Sequence, residues 1–262
     1  MIYVLDFGSQ YSHLIVRRMR EMGVFAELVP HNYPLKKLRQ AAGIVLSGGP
    51  QNLSASSALR IDRRVFQLGI PILGICYGLQ LTAYELGGKV TAGKNREYGP
   101  TEVLVLGRSP LFSGLSKKQI TWMSHGDQVT RLPKHFTTIA SSKNCPVSAV
   151  ACEKRKIYGL QFHPEVVHTK NGQKILANFL KITGAKKTWK MSDFAKLTVD
   201  KIKQEVGSDR AICALSGGVD SAVAATLVNR AIGKNLICIY VDTGLMRLGE
   251  TEQIKKTFTT YQ

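Results

Sequence analysis

The chain has 262 residues, of which 36 are Lys or Arg and 18 are Asp or Glu, giving a formal net charge of +18. It holds no apolar run long enough to cross a bilayer, and its N-terminus lacks the basic start and small-residue cleavage site of a signal peptide, so we expect a cytoplasmic protein without a membrane partner. Its five cysteines are odd in number and include no CxxC pair. We therefore predict neither a disulfide framework nor a metal site.

Most of the excess positive charge lies in the first part of the chain, because residues 1–186 hold 25 basic and 10 acidic residues. The basic residues fall on several different predicted elements and are not interleaved with aromatic residues, as they are in grooves that bind single-stranded nucleic acid. Solvated faces of a basic protein explain this pattern better than a nucleic-acid site does.

Strand and helix patterns alternate through the first 86 residues. Apolar runs at 2–5, 25–29, 43–46 and 71–75 are typical of short buried strands. The alternation predicts an α/β fold with a mostly parallel, doubly wound sheet covered by helices, in which ligands bind beyond the carboxyl ends of the strands. From residue 89 to residue 162 the pattern changes to short β-type runs, with a polar loop predicted at Ser124–Asp127, and we interpret this part as a β-rich insertion.

Cys76 directly follows the strand at 71–75 and precedes a helix-compatible segment at 79–86. Gly74 and Gly78 flank it at a distance of two residues, which permits the sharp strand-to-helix turn of a nucleophile elbow. A thiol at a helix N-terminus also feels the positive end of the helix dipole, which favours the reactive thiolate. Cys76 is therefore the candidate nucleophile, and a buried structural cysteine is the alternative.

A cysteine nucleophile needs a base, a group that orients the base, and donors for the developing oxyanion. His163 follows the last β-type run and is the candidate base, and Glu165 can fix its tautomer by accepting a hydrogen bond. The backbone amides of Gly49, in a Ser-Gly-Gly-Pro loop after the third strand, and of Tyr77 are the candidate oxyanion donors. Alone, a loop histidine or a glycine turn is ordinary, so these roles depend on their placement around Cys76.

A linker at 184–188 divides the chain into a first domain of residues 1–185 and a second of residues 186–262. The second region holds only two apolar strands, at 211–215 and 236–241. Two strands make half of a doubly wound domain, so we interpret this region as an incomplete α/β domain.

A second motif joins these two strands: Ser216-Gly217-Gly218-Val219-Asp220-Ser221, followed by a helix predicted at 222–232. A strand that runs into small residues and then a helix exposes several N–H groups at a positive helix terminus, which forms a phosphate cradle. It is not a Walker loop, because GxxxxGK[ST] is absent. The alternative is a glycine-rich turn without a ligand.

The first domain resembles class I, triad-type glutamine amidotransferases in four segments: Leu46–Pro50, Gly74–Gln80, Met123–Asp127 and Gln161–Thr169. The Ser216–Ser221 loop, with Tyr240–Gly244 after the next strand, resembles the phosphate loop of N-type ATP pyrophosphatases. Together they resemble the family of glutamine-hydrolysing GMP synthases, since other families with this loop use other kinds of glutaminase. The resemblance implies a flavodoxin-like first domain and a second domain like the adenine nucleotide alpha hydrolases.

The resemblance also implies a reaction. Cys76 attacks the side-chain amide carbon of glutamine, His163 protonates the departing ammonia and then activates water, and Glu165 orients His163. Glutamine hydrolysis needs no cofactor, and its substrate is contacted by four residues: Gln80, Ser124, His125 and Asp127. Ammonia then reaches the second domain, where Ser216–Ser221 hold the pyrophosphate of ATP with Mg²⁺ while XMP is aminated to GMP.

The family continues with a further pyrophosphatase portion and a dimerisation domain, so we expect the synthetase half to be truncated here, with its missing portion a candidate separate chain. A stand-alone glutaminase that supplies a separate synthetase is one alternative. A non-catalytic remnant that binds nucleotide or nucleic acid is another.

Overall fold

The computed structural model describes residues 1–53, 55, 57–242, 244 and 247–258, and the chain divides into two compact units, Met1–Trp189 and Lys190–Gln262. In chain order, strands β1 to β11 are Ile2–Asp6, Ala26–Pro30, Gly43–Leu46, Ile72–Ile75, Lys89–Val105, Lys118–Arg131, Thr137–Ser141, Ala149–Cys152, Ile157–Leu160, Ala211–Leu215 and Leu236–Tyr240. The helices α1 to α7 are Ser12–Glu21, Leu35–Leu38, Tyr77–Glu85, Gly172–Thr183, Met191–Val206, Val219–Ile232 and Glu250–Phe258. Within these residues, no helix has the length and apolar character that a membrane span requires.

The first unit is built on one sheet with the strand order β2-β1-β3-β4-β9-β8-β7-β5-β6. The strands from β2 to β9 in this order are parallel, and the remaining four pair antiparallel. The parallel half includes β4, which leads to Cys76, and β9, which leads to His163. The predicted α/β fold with a β-rich insertion is confirmed.

Both faces of the central strands of this sheet are buried. Along β1, Ile2 and Val4 pack into one apolar cluster, and Tyr3 and Leu5 pack into another, as the two-residue period of a strand requires. The first cluster takes in residues of α1 and α4, and the second takes in residues of α3. The central strands are therefore apolar throughout, as in sheets covered by helices on both sides.

Two details differ from the sequence-based prediction. The short β-type runs predicted within 89–162 include two long strands, β5 and β6, and the loop predicted at Ser124–Asp127 lies inside β6, paired with β5. Polar residues and a glycine favour a loop locally, but the long-range pairing of two strands overrides that preference. Helix α6 begins at Val219 rather than at residue 222, because Gly218 forms its N-terminal cap.

The second unit holds a parallel pair, β10 and β11, with α6 between them in the chain. Its buried apolar residues are Leu215, Ala225 and Ile254. Alternate residues of β10 are exposed, and three of the five residues of β11 are exposed. This unit is an α/β element with little interior of its own.

Candidate active site

Cys76 occupies a sharp turn between β4 and α3, with φ 50° and ψ −103°. A Cβ on Gly78 would lie 2.3 Å from the carbonyl oxygen of Leu46, and a Cβ on Gly74 would lie 2.5 Å from the backbone of Gly78. Only glycine allows the helix to start this close to the neighbouring strands. The turn raises the Cys76 side chain above the sheet edge, which is the geometry of a nucleophile elbow.

The Cys76 thiol lies among polar groups. Its Sγ is 3.5 Å from the carbonyl oxygen of Ser124, to which it donates, and 3.6 Å from Nε2 of Gln161, which donates to it. The residue is only 6% exposed, so these groups replace most of its water. The backbone N–H of Cys76 donates to the carbonyl oxygen of Leu160 at 2.7 Å, which ties the elbow to β9.

His163 and Glu165 form a buried pair beyond the end of β9. Nδ1 of His163 lies 2.7 Å from Oε1 of Glu165, and the two residues are 4% and 1% exposed. Burial lowers the pKa of His163, but the Glu165 carboxylate and the hydrogen bonds with Cys76 and Glu165 outweigh this effect and raise it to about 10. The imidazole therefore carries a proton at neutral pH and faces the thiol.

The backbone donors proposed for the oxyanion lie beside this pair. A Cβ on Gly49 would meet the Phe7 carbonyl oxygen at 2.6 Å and the Tyr77 ring at 3.3 Å, and one on Gly48 would meet Cε1 of His163 at 3.1 Å. The glycine loop therefore approaches the imidazole and the start of α3 as closely as backbone can. Among the residues described, none accepts a hydrogen bond from the N–H of Gly49 or Tyr77.

These groups open into a cleft of about 620 Å³. Its lining includes the thiol and imidazole residues, Gly49, and four residues predicted to contact glutamine: Gln80, Ser124, His125 and Asp127. Gln80 is held in place because its Nε2 donates to the carbonyl oxygen of Asp127 at 2.8 Å. The ring nitrogens of His125 face the Asp127 carbonyl oxygen at 3.0 Å and the Glu97 carboxylate at 3.3 Å, so both lie against groups of the protein.

Three further residues at this site are not assigned a role by the sequence motifs described above. Gln161 contacts the thiol, and the alternation of a strand would have placed it on the same face as His163 two residues later. Tyr11 stacks edge-on against His163 at a centroid distance of 5.1 Å, and it lies just after β1, at the same end of the parallel strands. Glu97 lies in the middle of β5, where no local pattern marks it.

The Ser216–Ser221 loop lies in the second unit. Gly217 has φ 81°, Ser216 and Ser221 share a hydroxyl contact of 3.1 Å, and the Ser221 hydroxyl donates to the carbonyl oxygen of Gly218 at 3.0 Å. The loop leads directly into α6, and its residues are exposed or half-buried, so the helix N-terminus faces solvent. Exposed N–H groups at a helix start suit a phosphate group.

Asp242 follows β11, and it accepts hydrogen bonds from the backbone of Gly244 at 2.9 Å and from the Thr251 hydroxyl at 3.0 Å. These bonds lower the pKa of Asp242, so its carboxylate is ionised at neutral pH. Thr243 of the predicted Tyr240–Gly244 motif lies outside the described residues.

Comparisons with known proteins match both regions of the chain. The family profile of class-I glutamine amidotransferases covers residues 3–183, and the NAD synthase profile covers residues 191–253. Proteins named GMP synthase (glutamine-hydrolyzing) from Caldicellulosiruptor saccharolyticus and Geobacillus kaustophilus are each 51% identical over 261 residues. The chain spans about half the length of these curated relatives, 98% of it matching 51% of the Caldicellulosiruptor protein.

Two solved structures are also similar to this chain. A crystal structure described as that of a putative GMP synthase subunit from Thermoplasma acidophilum is 37% identical, with a TM-score of 0.63, and the match covers 70% of this chain and 93% of that one. A glutamine amidotransferase from Thermotoga maritima shares the fold at 21% identity and a TM-score of 0.53. The chain belongs to the class-I glutamine amidotransferase family.

Proposed function

We propose that the chain hydrolyses glutamine to glutamate and ammonia and that this ammonia serves the ATP-dependent amination of XMP to GMP. One observation carries the first part: Cys76, on an elbow of positive φ, faces the protonated His163 of a buried His163–Glu165 pair. The names of the curated relatives support the second part, which concerns a protein about twice as long as this chain.

The geometry supports a two-step acyl transfer. Once the Cys76 thiol has lost its proton to solvent, the thiolate attacks the side-chain amide carbon of glutamine, and the N–H groups of Gly49 and Tyr77 stabilise the resulting oxyanion. His163 donates its proton to the departing ammonia, leaving a thioester on Cys76. Neutral His163 then takes a proton from water, the hydroxide attacks the thioester, and glutamate leaves as the thiolate and the imidazolium are restored.

Glu165 keeps His163 ready for this proton transfer. Its carboxylate accepts from Nδ1, which leaves the opposite ring nitrogen for the thiol side, and it stabilises the imidazolium. The second oxygen of Glu165 is buried without a hydrogen-bond partner in the described structure. The Glu165 carboxylate therefore interacts mainly with the His163 imidazole.

In the second unit, the Ser216–Ser221 loop is the proposed phosphate-binding site. The start of α6 and the hydroxyls of Ser216 and Ser221 would hold the pyrophosphate of ATP, with Mg²⁺ as its counterion. Bound ATP would supply the adenylyl group that activates the XMP oxygen for displacement by ammonia. The match to the NAD synthase profile supports nucleotide use by this unit.

The decisive experiment measures ammonia and glutamate release from glutamine by the purified chain, with Cys76→Ala as the matched control. We expect turnover by the parent chain and none by Cys76→Ala. Absence of turnover in the parent, with or without ATP, Mg²⁺ and XMP, would refute the glutaminase assignment for this chain. GMP formation is assayed in the same samples and tests the synthetase part separately.

A stand-alone glutaminase that serves a separate synthetase differs in one outcome. It predicts glutamine hydrolysis that rises when the synthetase chain is added, and no GMP when that chain is absent.

A further inference from the structure

A buried polar cluster lies beside the cleft and has no part in the chemistry described above. It joins Glu97 on β5, His125 on β6, and Cys145 in the segment after β7, which are 6%, 5% and 0% exposed. A ring nitrogen of His125, a carboxylate oxygen of Glu97 and Sγ of Cys145 all lie within 4.8 Å of one another. The hydroxyl of Ser142 completes the cluster at 3.4 Å from the Glu97 carboxylate.

The strand pairing places Glu97 directly opposite His125. β5 and β6 pair antiparallel, and their register shifts between Ala92 and Glu97, after which Glu97 is the partner of His125. Such an irregularity redirects side chains and is common beside active sites. Here the register shift places the Glu97 carboxylate against the His125 imidazole in the wall of the cleft.

The hydrogen bonds of His125 determine where its proton lies. Its Nδ1 is 3.0 Å from the carbonyl oxygen of Asp127, which can only accept, so Nδ1 carries hydrogen. Its Nε2 is 3.3 Å from Oε2 of Glu97. A bare Nε2 and an ionised carboxylate are both acceptors, so a proton or a cation must lie between them.

The surroundings favour a proton over a metal ion. Burial raises the pKa of Cys145 to about 11, so its thiol stays protonated at neutral pH, and it donates to the Val147 carbonyl oxygen at 3.5 Å. A protonated thiol is a poor metal ligand. Burial lowers the pKa of His125, and the Glu97 carboxylate opposes this effect without reversing it. The proton is therefore assigned from the contact itself, in which Nε2 and Oε2 face each other at 3.3 Å.

This pair lies between the two backbone contacts that define one wall of the cleft. The carbonyl oxygen of Ser124 accepts from the Cys76 thiol, and that of Asp127 accepts both from Gln80 and from the His125 ring. The His125 ring therefore holds the Asp127 carbonyl oxygen in place, and His125 directly follows Ser124, whose carbonyl oxygen contacts the thiol.

We propose that Glu97 and His125 act as positioning residues: the protonated pair fixes the wall from Ser124 to Asp127 against Cys76 and Gln80, and His125 acts through this wall rather than by presenting a ring nitrogen to the substrate. This inference rests on the proposed glutaminase function. It gives a part in the reaction to Glu97, which lies outside the triad.

The test compares Glu97→Ala with Glu97→Gln in the full chain. Alanine removes the partner of Nε2, whereas the glutamine amide keeps the shape and can donate a hydrogen bond to Nε2. We expect Glu97→Ala to raise KM for glutamine about tenfold or more, because a wall displaced by a fraction of an ångström misplaces the substrate. Glu97→Gln should stay within about threefold of the parent KM.

Glu153→Ala is the matched control, since Glu153 also accepts two side-chain hydrogen bonds, from Ser109 at 2.7 Å and from Tyr158 at 2.5 Å, and lies outside the cleft lining. We expect its KM to equal that of the parent. A fall in kcat at unchanged KM in Glu97→Ala, or equal losses in Glu97→Ala and Glu97→Gln, would show a merely structural role and overturn the proposal.

A second readout does not depend on activity. The ¹⁵N NMR signals of His125 in the full chain should show a protonated Nδ1, and the Nε2 signal should move in Glu97→Ala. A bare Nδ1 would overturn this inference whether or not the parent chain is active. Inactivity of the parent chain would instead refute the proposed function. Zinc bound at one ion per chain, and lost in Cys145→Ser, would also overturn this inference, because a metal ion would then occupy the place assigned to the proton.

Discussion

Both units contain a strand, a turn and a helix in succession, but only the first unit buries its strands. In the first unit β3, β4, β8 and β9 are buried at every position, because they lie inside a nine-stranded sheet with apolar clusters on both faces of its central strands. In the second, β10 and β11 are exposed at alternate or most positions, and a hollow of about 380 Å³ lies among their apolar residues. Strand, turn and helix are thus enough to shape a loop, but only a covered sheet stabilises it.

Limited proteolysis should show the largest difference between the units. We expect rapid cleavage after about residue 189, with the first unit surviving, because exposed strand edges and a small core open easily. Mass spectrometry of the fragments over time measures this. Resistance of the whole chain through its last residues would show that the second unit is stable by itself.

A pair of leucine substitutions tests the same contrast by packing. Leu176 on α4 is 0% exposed, whereas Leu197 on α5 is 61% exposed. We expect Leu176→Ala to lower the free energy of unfolding by about 2–5 kcal/mol and Leu197→Ala to change it by about 0.5 kcal/mol or less. Urea unfolding followed by tryptophan fluorescence reports on the first unit, because Trp122 and Trp189 both lie there. Far-UV circular dichroism follows both units, so a transition that it shows and fluorescence lacks reports on the second unit.

A pair of glycine substitutions compares the two strand-to-helix turns. A Cβ on Gly78 would lie 2.3 Å from a backbone oxygen, whereas one on Gly218 would lie 3.4 Å from a serine hydroxyl, at a φ of −77°. We expect Gly78→Ala to cost about 1–3 kcal/mol of stability in the first unit. Gly218→Ala should cost the second unit about 0.5–1 kcal/mol, because alanine is a poorer N-cap than glycine. Equal effects would mean that the elbow relaxes more easily than its packing suggests.

A further comparison concerns pH, to which the two units should respond at opposite ends of the scale. The raised pKa of His163 stabilises the first unit fully below about 6.5, and this contribution is lost as pH rises through about 10. The lowered pKa of Asp242 stabilises the second unit above about 4, and this contribution is lost in more acidic solution.

Glu165→Gln and Asp242→Asn are the matched variants for this test. Glu165→Gln should remove much of the alkaline loss from the fluorescence-detected unfolding of the first unit, because it removes the carboxylate that raises the His163 pKa. Asp242→Asn should remove the acidic loss from the second. An unchanged alkaline profile in Glu165→Gln would assign that loss to other groups.

The sequence predicts most of what is local in this molecule. The glycines around Cys76 indicate the elbow because their effect reaches only a few residues, and the position of His163 after an apolar run indicates the same sheet edge. The Ser124–Asp127 wall and Glu97 were misread or overlooked because their roles come from the pairing of β5 with β6 across a register shift. A contact between two residues 28 positions apart on paired strands leaves no trace in the local pattern of either strand.

The positive φ of Cys76 has a consequence for the evolution of this chain. A side chain in that conformation is strained, and of all residues glycine adopts it most easily. Replacement of the nucleophile by glycine would therefore relieve the backbone while abolishing chemistry. Backbone stability alone would favour glycine here, so the cysteine is explained by the proposed reaction, and a chain that no longer needed that reaction would be free to exchange it.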